Sequence, residues 1–189
     1  MIKVFAFDLV GVLVREKQIE MTPEEEKIER LFGPNKSDGE FLTQAQQIVS
    51  DNITLMKIAE NVIDKLYEVI NPNLFIKLKE KYPNIKIIIA TNHISYIRHY
   101  ISKAFGIDNI DDIFISAEMN KIKPNNDFYE EIVEKNNCRP EEILFMDDNQ
   151  ENVNGALHVG LNSFKVEKGM DLYEEIVKWM KENNIKKTL

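Results

Sequence analysis

The chain has 189 residues and a mass of 22.1 kDa; 43% of it is hydrophobic and 30% charged. That balance belongs to a folded globular protein and excludes a disordered or low-complexity chain. Acidic residues outnumber basic ones 32 to 24, a net charge of -8, which argues against nucleic acid or an anionic membrane as partner. One cysteine, Cys138, excludes an internal disulfide and any multi-cysteine metal centre. The length predicts one domain with room for an insert. Residues 4–14 are apolar enough to suggest a signal peptide, but Asp8 interrupts them and no small-residue cleavage site follows, so the expected location is the cytoplasm.

In chain order, residues 2–7 are β-branched, aromatic and apolar, and predict a short buried strand that stops at Asp8 and Gly11. From about 15 to 72 no strand-like run occurs. Thr22-Pro23-Glu24-Glu25 predicts a helix start, with Thr22 as cap, Pro23 at the first position and Glu25 closing a capping box. Gly33-Pro34-Asn35 breaks that helix. Helical spacing returns at Phe41, Ala45, Ile48 and Val49, and again at Leu55, Ile58, Ala59, Val62, Ile63 and Leu66, before Asn71-Pro72. Residues 15–72 are therefore expected to form a small all-helical insert. It carries 12 acidic and 7 basic residues, most of the chain's excess negative charge.

Three further apolar runs, 85–90, 113–115 and 143–146, each lead through polar residues into a helical pattern. Strands alternating with helices predict a doubly wound parallel sheet, built here from 1–14 and 73–189. The Lys-rich end after residue 180 is expected to be a solvated helix tail.

Ligands in such a sheet bind at the carboxyl ends of the strands. Those ends carry Asp8; Thr91 and Asn92; Ser116 leading to Lys121 and Lys123; and Asp147, Asp148 and Asn149, with Asn152 one turn on. Neighbouring carboxylates repel unless a cation relieves them. Oxygen ligands suit Mg2+, which favours a substrate phosphate among its partners. An aspartate beside metal and phosphate can attack phosphorus.

The four motifs, in this order and each behind an apolar strand, resemble those of the haloacid dehalogenase superfamily, in particular its phosphatases with a helical cap after the first strand. The resemblance runs through Asp8-Leu9-Val10-Gly11-Val12, Thr91-Asn92, Lys123-Pro124-Asn125-Asn126-Asp127-Phe128 and Asp147-Asp148-Asn149-Gln150-Glu151-Asn152. It implies Asp8 as nucleophile and Thr91, Asn92 and Lys123 on the phosphate. It implies Mg2+ held by Asp8, the Val10 carbonyl, Asp147 and Asp148. The substrate it implies is a small phosphorylated metabolite.

The chain departs from the pattern at Val10, where the family usually has a second aspartate that protonates the leaving group. Valine has no titratable proton, yet its carbonyl remains available. Some relatives without this acid are nonetheless phosphatases. The dehalogenase branch also lacks it, but that branch lacks the acidic pair kept here at Asp147 and Asp148. A phosphometabolite-binding protein without turnover, and a 2-haloacid dehalogenase, are the alternatives.

His93 is a candidate for the absent acid, against a plainer reading as a polar loop residue. His99 and His158 fit surface or packing positions, Lys121 a surface charge, and Trp179 and Met180 packing. Cys138 has no activating neighbour in the sequence.

Overall fold

The computed structural model describes residues 1–33 and 37–185. The first strand, β1 (Val4–Phe7), lies at the centre of a five-stranded sheet. Three helices follow the short β2 (Val14–Glu16): α1 (Pro23–Glu29), α2 (Asp38–Ala45) and α3 (Asn52–Leu66). Next come β3 (Tyr67–Val69), α4 (Leu74–Lys81), β4 (Lys86–Thr91), α5 (Ile97–Phe105) and β5 (Asp112–Ile115). The chain continues through α6 (Ser116–Met119), α7 (Asn126–Asn136), β6 (Ile143–Asp147), α8 (Gln150–Val159), β7 (Asn162–Lys165) and α9 (Leu172–Ile185).

The sheet order is β5-β4-β1-β6-β7, and every pairing within it is parallel. The order reverses about β1, so a crevice opens at the carboxyl end of that strand. Alternate side chains of each strand enter two separate cores. Phe5, Phe7, Ile87, Ile89, Leu144 and Met146 face the core shared with α4, α5 and α9. Val4, Ala6, Ile88, Ala90 and Phe145 face α7 and α8. Burying a Phe or Ile of this kind contributes about 1.5–3 kcal/mol, so both faces favour this register strongly.

The sheet is the doubly wound α/β fold that the four apolar runs predict. β7 has no counterpart in that reading, because Asn-Ser-Phe-Lys at a sheet edge is polar and only half-buried. The segment 15–72 is helical inside, but its ends depart from the expectation of a strand-free insert. β2 and β3 pair antiparallel, with Arg15 opposite Glu68 and their side chains 2.7 Å apart. Each of these strands is three residues long and carries charge, so no apolar run marks it.

The capping box forms as read. The Glu25 N–H donates to Thr22 Oγ1 at 3.2 Å, and the Thr22 N–H donates to Glu25 Oε2 at 2.9 Å. Of the break at Gly33-Pro34-Asn35, the last two residues lie outside the described ones, as does the tail at 186–189.

The insert rests on the sheet's carboxyl edge. Asp38 Oδ1 accepts from the Ser95 N–H at 2.9 Å, Phe41 packs on Tyr96, and Lys103 pairs with Asp64 at 2.5 Å. Among the described residues no helix is long and apolar enough to cross a membrane.

Gly155 on α8 lets that helix approach the loop that carries Lys123. A Cβ there would lie 2.5 Å from the Pro124 carbonyl oxygen and 3.0 Å from the Tyr129 ring. Gly155→Ala gains about 1 kcal/mol of helix propensity but overpacks against backbone, which costs about 1–3 kcal/mol. The variant is expected to have a lower denaturant midpoint than the parent. A raised midpoint would contradict the close approach.

Candidate active site

β1, β4 and β6 are adjacent, so their carboxyl ends bring Asp8, Thr91 and Asp147 into one crevice. Asp8 and Asp147 are buried, with Asp147 fully so, while Asp148 reaches solvent. One oxygen from each of Asp8, Asp147 and Asp148 lies within 4.8 Å of the other two. Lys123, itself buried, donates to Asp8 Oδ1 at 2.6 Å and to Asp147 Oδ2 at 2.7 Å. Two of the three carboxylates thus share one ammonium.

Burial first, and then the neighbouring charges, set the titration of the group. Burial pushes the Asp8 carboxyl up to about 7; Lys123 pulls it down, and the charge of Asp147 raises it again. Burial by itself pulls Lys123 down, but Asp8 and Asp147 outweigh it and hold the ammonium above its ordinary range. Burial first, and then Asp147, also raise Asp148. Asp8, Lys123 and Asp148 all move toward the protonated form, so the site favours more positive charge than it contains.

The residues fit a hard divalent cation on two further observations. Asp147 is already saturated: besides Lys123 it accepts from the Asn149 N–H at 2.8 Å and from Asn152 Nδ2 at 3.1 Å to each oxygen. Asp148, by contrast, accepts no hydrogen bond from any described side chain. Gly11, at φ +91°, makes room for it, because a Cβ there would overlap the Asp148 carboxylate. A cavity of about 740 Å3, bordered by Gly11 and Asp148, gives this carboxylate an open approach.

Thr91 is 1% exposed at the end of β4, and its hydroxyl has no hydrogen-bond partner among the described residues. The Asn92 carboxamide engages the main chain of Lys123. Its Nδ2 donates to the Lys123 carbonyl, and its Oδ1 accepts from the Lys123 N–H, both at 2.9 Å. Val10 is half-buried beside Asp8, with its aliphatic side chain packed on the core.

His93 does not fill the place of an acid. Its Nδ1 lies 3.2 Å from the Ile94 carbonyl, which can only accept, so Nδ1 carries the proton and Nε2 accepts from Tyr67 at 3.1 Å. Its ring packs between Phe32 and Tyr67, and burial lowers its pKa to about 4. Lys121 pairs at the surface with Glu131 at 2.6 Å, His99 and His158 are exposed, and Met180 is buried. Burial pushes the Cys138 thiol up, away from thiolate.

The sequence pattern of haloacid dehalogenase-like hydrolases matches residues 5–166. The chain belongs to that family. The hydrolase also shares its fold with solved members. A predicted HAD-like family hydrolase from Porphyromonas gingivalis is 22% identical, with a TM-score of 0.71 over 95% of this chain and 98% of the other. A HAD family enzyme from Bacteroides thetaiotaomicron, in complex with magnesium and inorganic phosphate, is 17% identical, with a TM-score of 0.69 over 92% and 98%. An L-2-haloacid dehalogenase from Xanthobacter autotrophicus, with chloropropionic acid covalently bound, is 17% identical, with a TM-score of 0.64 over 92% and 80%. No curated protein matches the hydrolase.

Sequence reasoning did not find the role of Tyr67, which joins β3 to the loop after β4 through His93. A tyrosine ending a helical run gives no sign of a partner 26 residues away. Because His93 is held neutral, the unfolded chain binds its proton below the ordinary 6.5 while the folded chain does not until about 4. Its contribution is therefore present above 6.5 and lost as pH falls toward 4. Over that window the parent is expected to lose on the order of 3 kcal/mol more stability than His93→Gln, read by denaturant unfolding. Parallel pH profiles for the two proteins would contradict this.

Proposed function

We propose that this hydrolase cleaves a small phosphomonoester with the help of magnesium, through a phosphoryl group carried on Asp8. The observation that supports it best is the convergence of buried Asp8, Asp147 and Lys123 with the more open Asp148, beside the hydroxyl of Thr91. Asp8, Asp148 and the Val10 carbonyl would hold the ion, with Asp147 alongside. Bound there, magnesium neutralises phosphoryl oxygens that would otherwise repel the carboxylates.

Lys123 and Thr91 donate to the phosphoryl oxygens and turn phosphorus toward Asp8. A carboxylate oxygen of Asp8 forms the new bond to phosphorus, and the bond to the leaving oxygen breaks. Water then cleaves the acyl phosphate and releases inorganic phosphate. Phe32, Tyr67 and His93 pack tightly where the helical insert meets the loop after β4, and so limit stray water. Val10 provides no proton to the leaving group, which favours substrates with good leaving groups, such as sugar 1-phosphates or acyl phosphates. We place this activity in the cytoplasm, on a small phosphorylated metabolite, with residues 15–72 as the cap that selects it.

Val10 also favours a second reading, a phosphometabolite-binding protein without turnover. Dehalogenation ranks below both, since the acidic pair would repel a haloacid in the absence of a cation.

A panel of phosphomonoesters with Mg2+ tests the proposal, with Asp8→Asn as blank. Phosphate release is expected from the parent only, and a chelator is expected to stop it. Acid-quenched intact mass should show one added phosphoryl group on the parent during turnover. Val10→Asp is expected to speed poor leaving groups, by up to about 10²-fold. No release and no phosphoenzyme across the panel would favour the binding protein. Chloride release from a 2-chloroacid in the presence of chelator would favour the dehalogenase.

A further inference from the structure

We infer that Asn92 is a positioning residue that sets where the Lys123 ammonium stands. This goes beyond the proposed phosphatase reading but rests on it for its effect on rate. Lys123 lies between α6 and α7, outside any strand, so no ladder fixes its main chain. Its side chain has four rotatable bonds, and its ammonium must satisfy Asp8 and Asp147 together, at 2.6 and 2.7 Å.

The Asn92 carboxamide supplies the missing constraint. It takes both main-chain polar groups of Lys123, N–H and C=O, at 2.9 Å each, as a neighbouring strand would. A donor and an acceptor on one residue allow only one orientation of the amide. Asn92 is itself anchored on both sides. Thr91 pairs with Ile115 across β4 and β5, and the His93 N–H donates to Ser116 Oγ at 3.0 Å. The carboxyl end of β4 therefore places the Thr91 hydroxyl directly and the Lys123 ammonium through Asn92. With Oδ1 and one Nδ2 hydrogen engaged on Lys123, a single N–H of the carboxamide remains.

The test compares the parent with Asn92→Ala, which loses both hydrogen bonds, and Asn92→Asp, which keeps the acceptor but sets an oxygen against the Lys123 carbonyl. In crystals of Asn92→Ala the Lys123 ammonium is expected to leave hydrogen-bond distance of Asp8. On the phosphomonoester that the parent cleaves best, kcat is expected to fall about 10- to 100-fold, as for a misplaced catalytic group. The Mg2+ concentration for half-maximal rate should change less than about twofold. Asn92→Asp should show the same pattern and serves if the alanine variant does not fold. A Lys123 ammonium still on Asp8 in the variant crystals overturns the inference, whatever the activity. If the parent cleaves no phosphomonoester, the functional reading fails, and the position of Lys123 in the variant crystals decides the inference on its own.

Discussion

In this hydrolase the ammonium of Lys123 is held by two buried carboxylates, Asp8 and Asp147, with a third, Asp148, close by. Burying charge is expensive, and a buried ion pair seldom repays the desolvation it requires. Replacing the group with apolar side chains of similar volume would serve stability as well or better. Stability alone therefore gives little reason for the group, which accords with the chemical role proposed for it. In the proposed reaction it concentrates negative oxygen beside Asp8, whose attack requires that this charge be relieved.

The fold makes the group possible by placing β1 between β4 and β6. Asp8 follows β1, Asp147 ends β6, and Thr91 ends β4, so residues from distant parts of the chain become neighbours without help from any local motif. The helices behind the sheet refine the placement. Asn152, on the first turn of α8, donates to both oxygens of Asp147, and Tyr129 of α7 donates to the Asn152 carbonyl at 2.7 Å. Gly11 and Gly155 are positions where two parts of the chain come closer than a side chain allows.

The sheet was legible because its strands are buried on both faces and appear as unbroken apolar runs, as at Ile87, Ile88 and Ile89. The same signal is missing from β7, an edge strand, and from β2 and β3, where Arg15 and Glu68 face solvent and hold each other. The positions of Asp8, Thr91, Asp147 and Asp148 were legible because a polar residue ending an apolar strand is unusual, and that of Lys123 through the Lys123-Pro124 pair before a helix. Asn92 shows how little such a position says about partners. At a strand end it looks like a ligand-facing group, yet its partner is the Lys123 main chain, 31 residues on. His93 shows the limit of reading by type. Nothing local marks its burial, which comes from Phe32 and Tyr67, brought in from the insert and from β3.

The central claim is that the carboxylates around Asp8 hold one divalent cation. Calorimetric titration of the protein with Mg2+ at neutral pH tests it most directly, in the parent and in Asp148→Asn. The account predicts one saturable site per chain in the parent and its loss in the variant. No binding by the parent, or equal binding by both proteins, would contradict it.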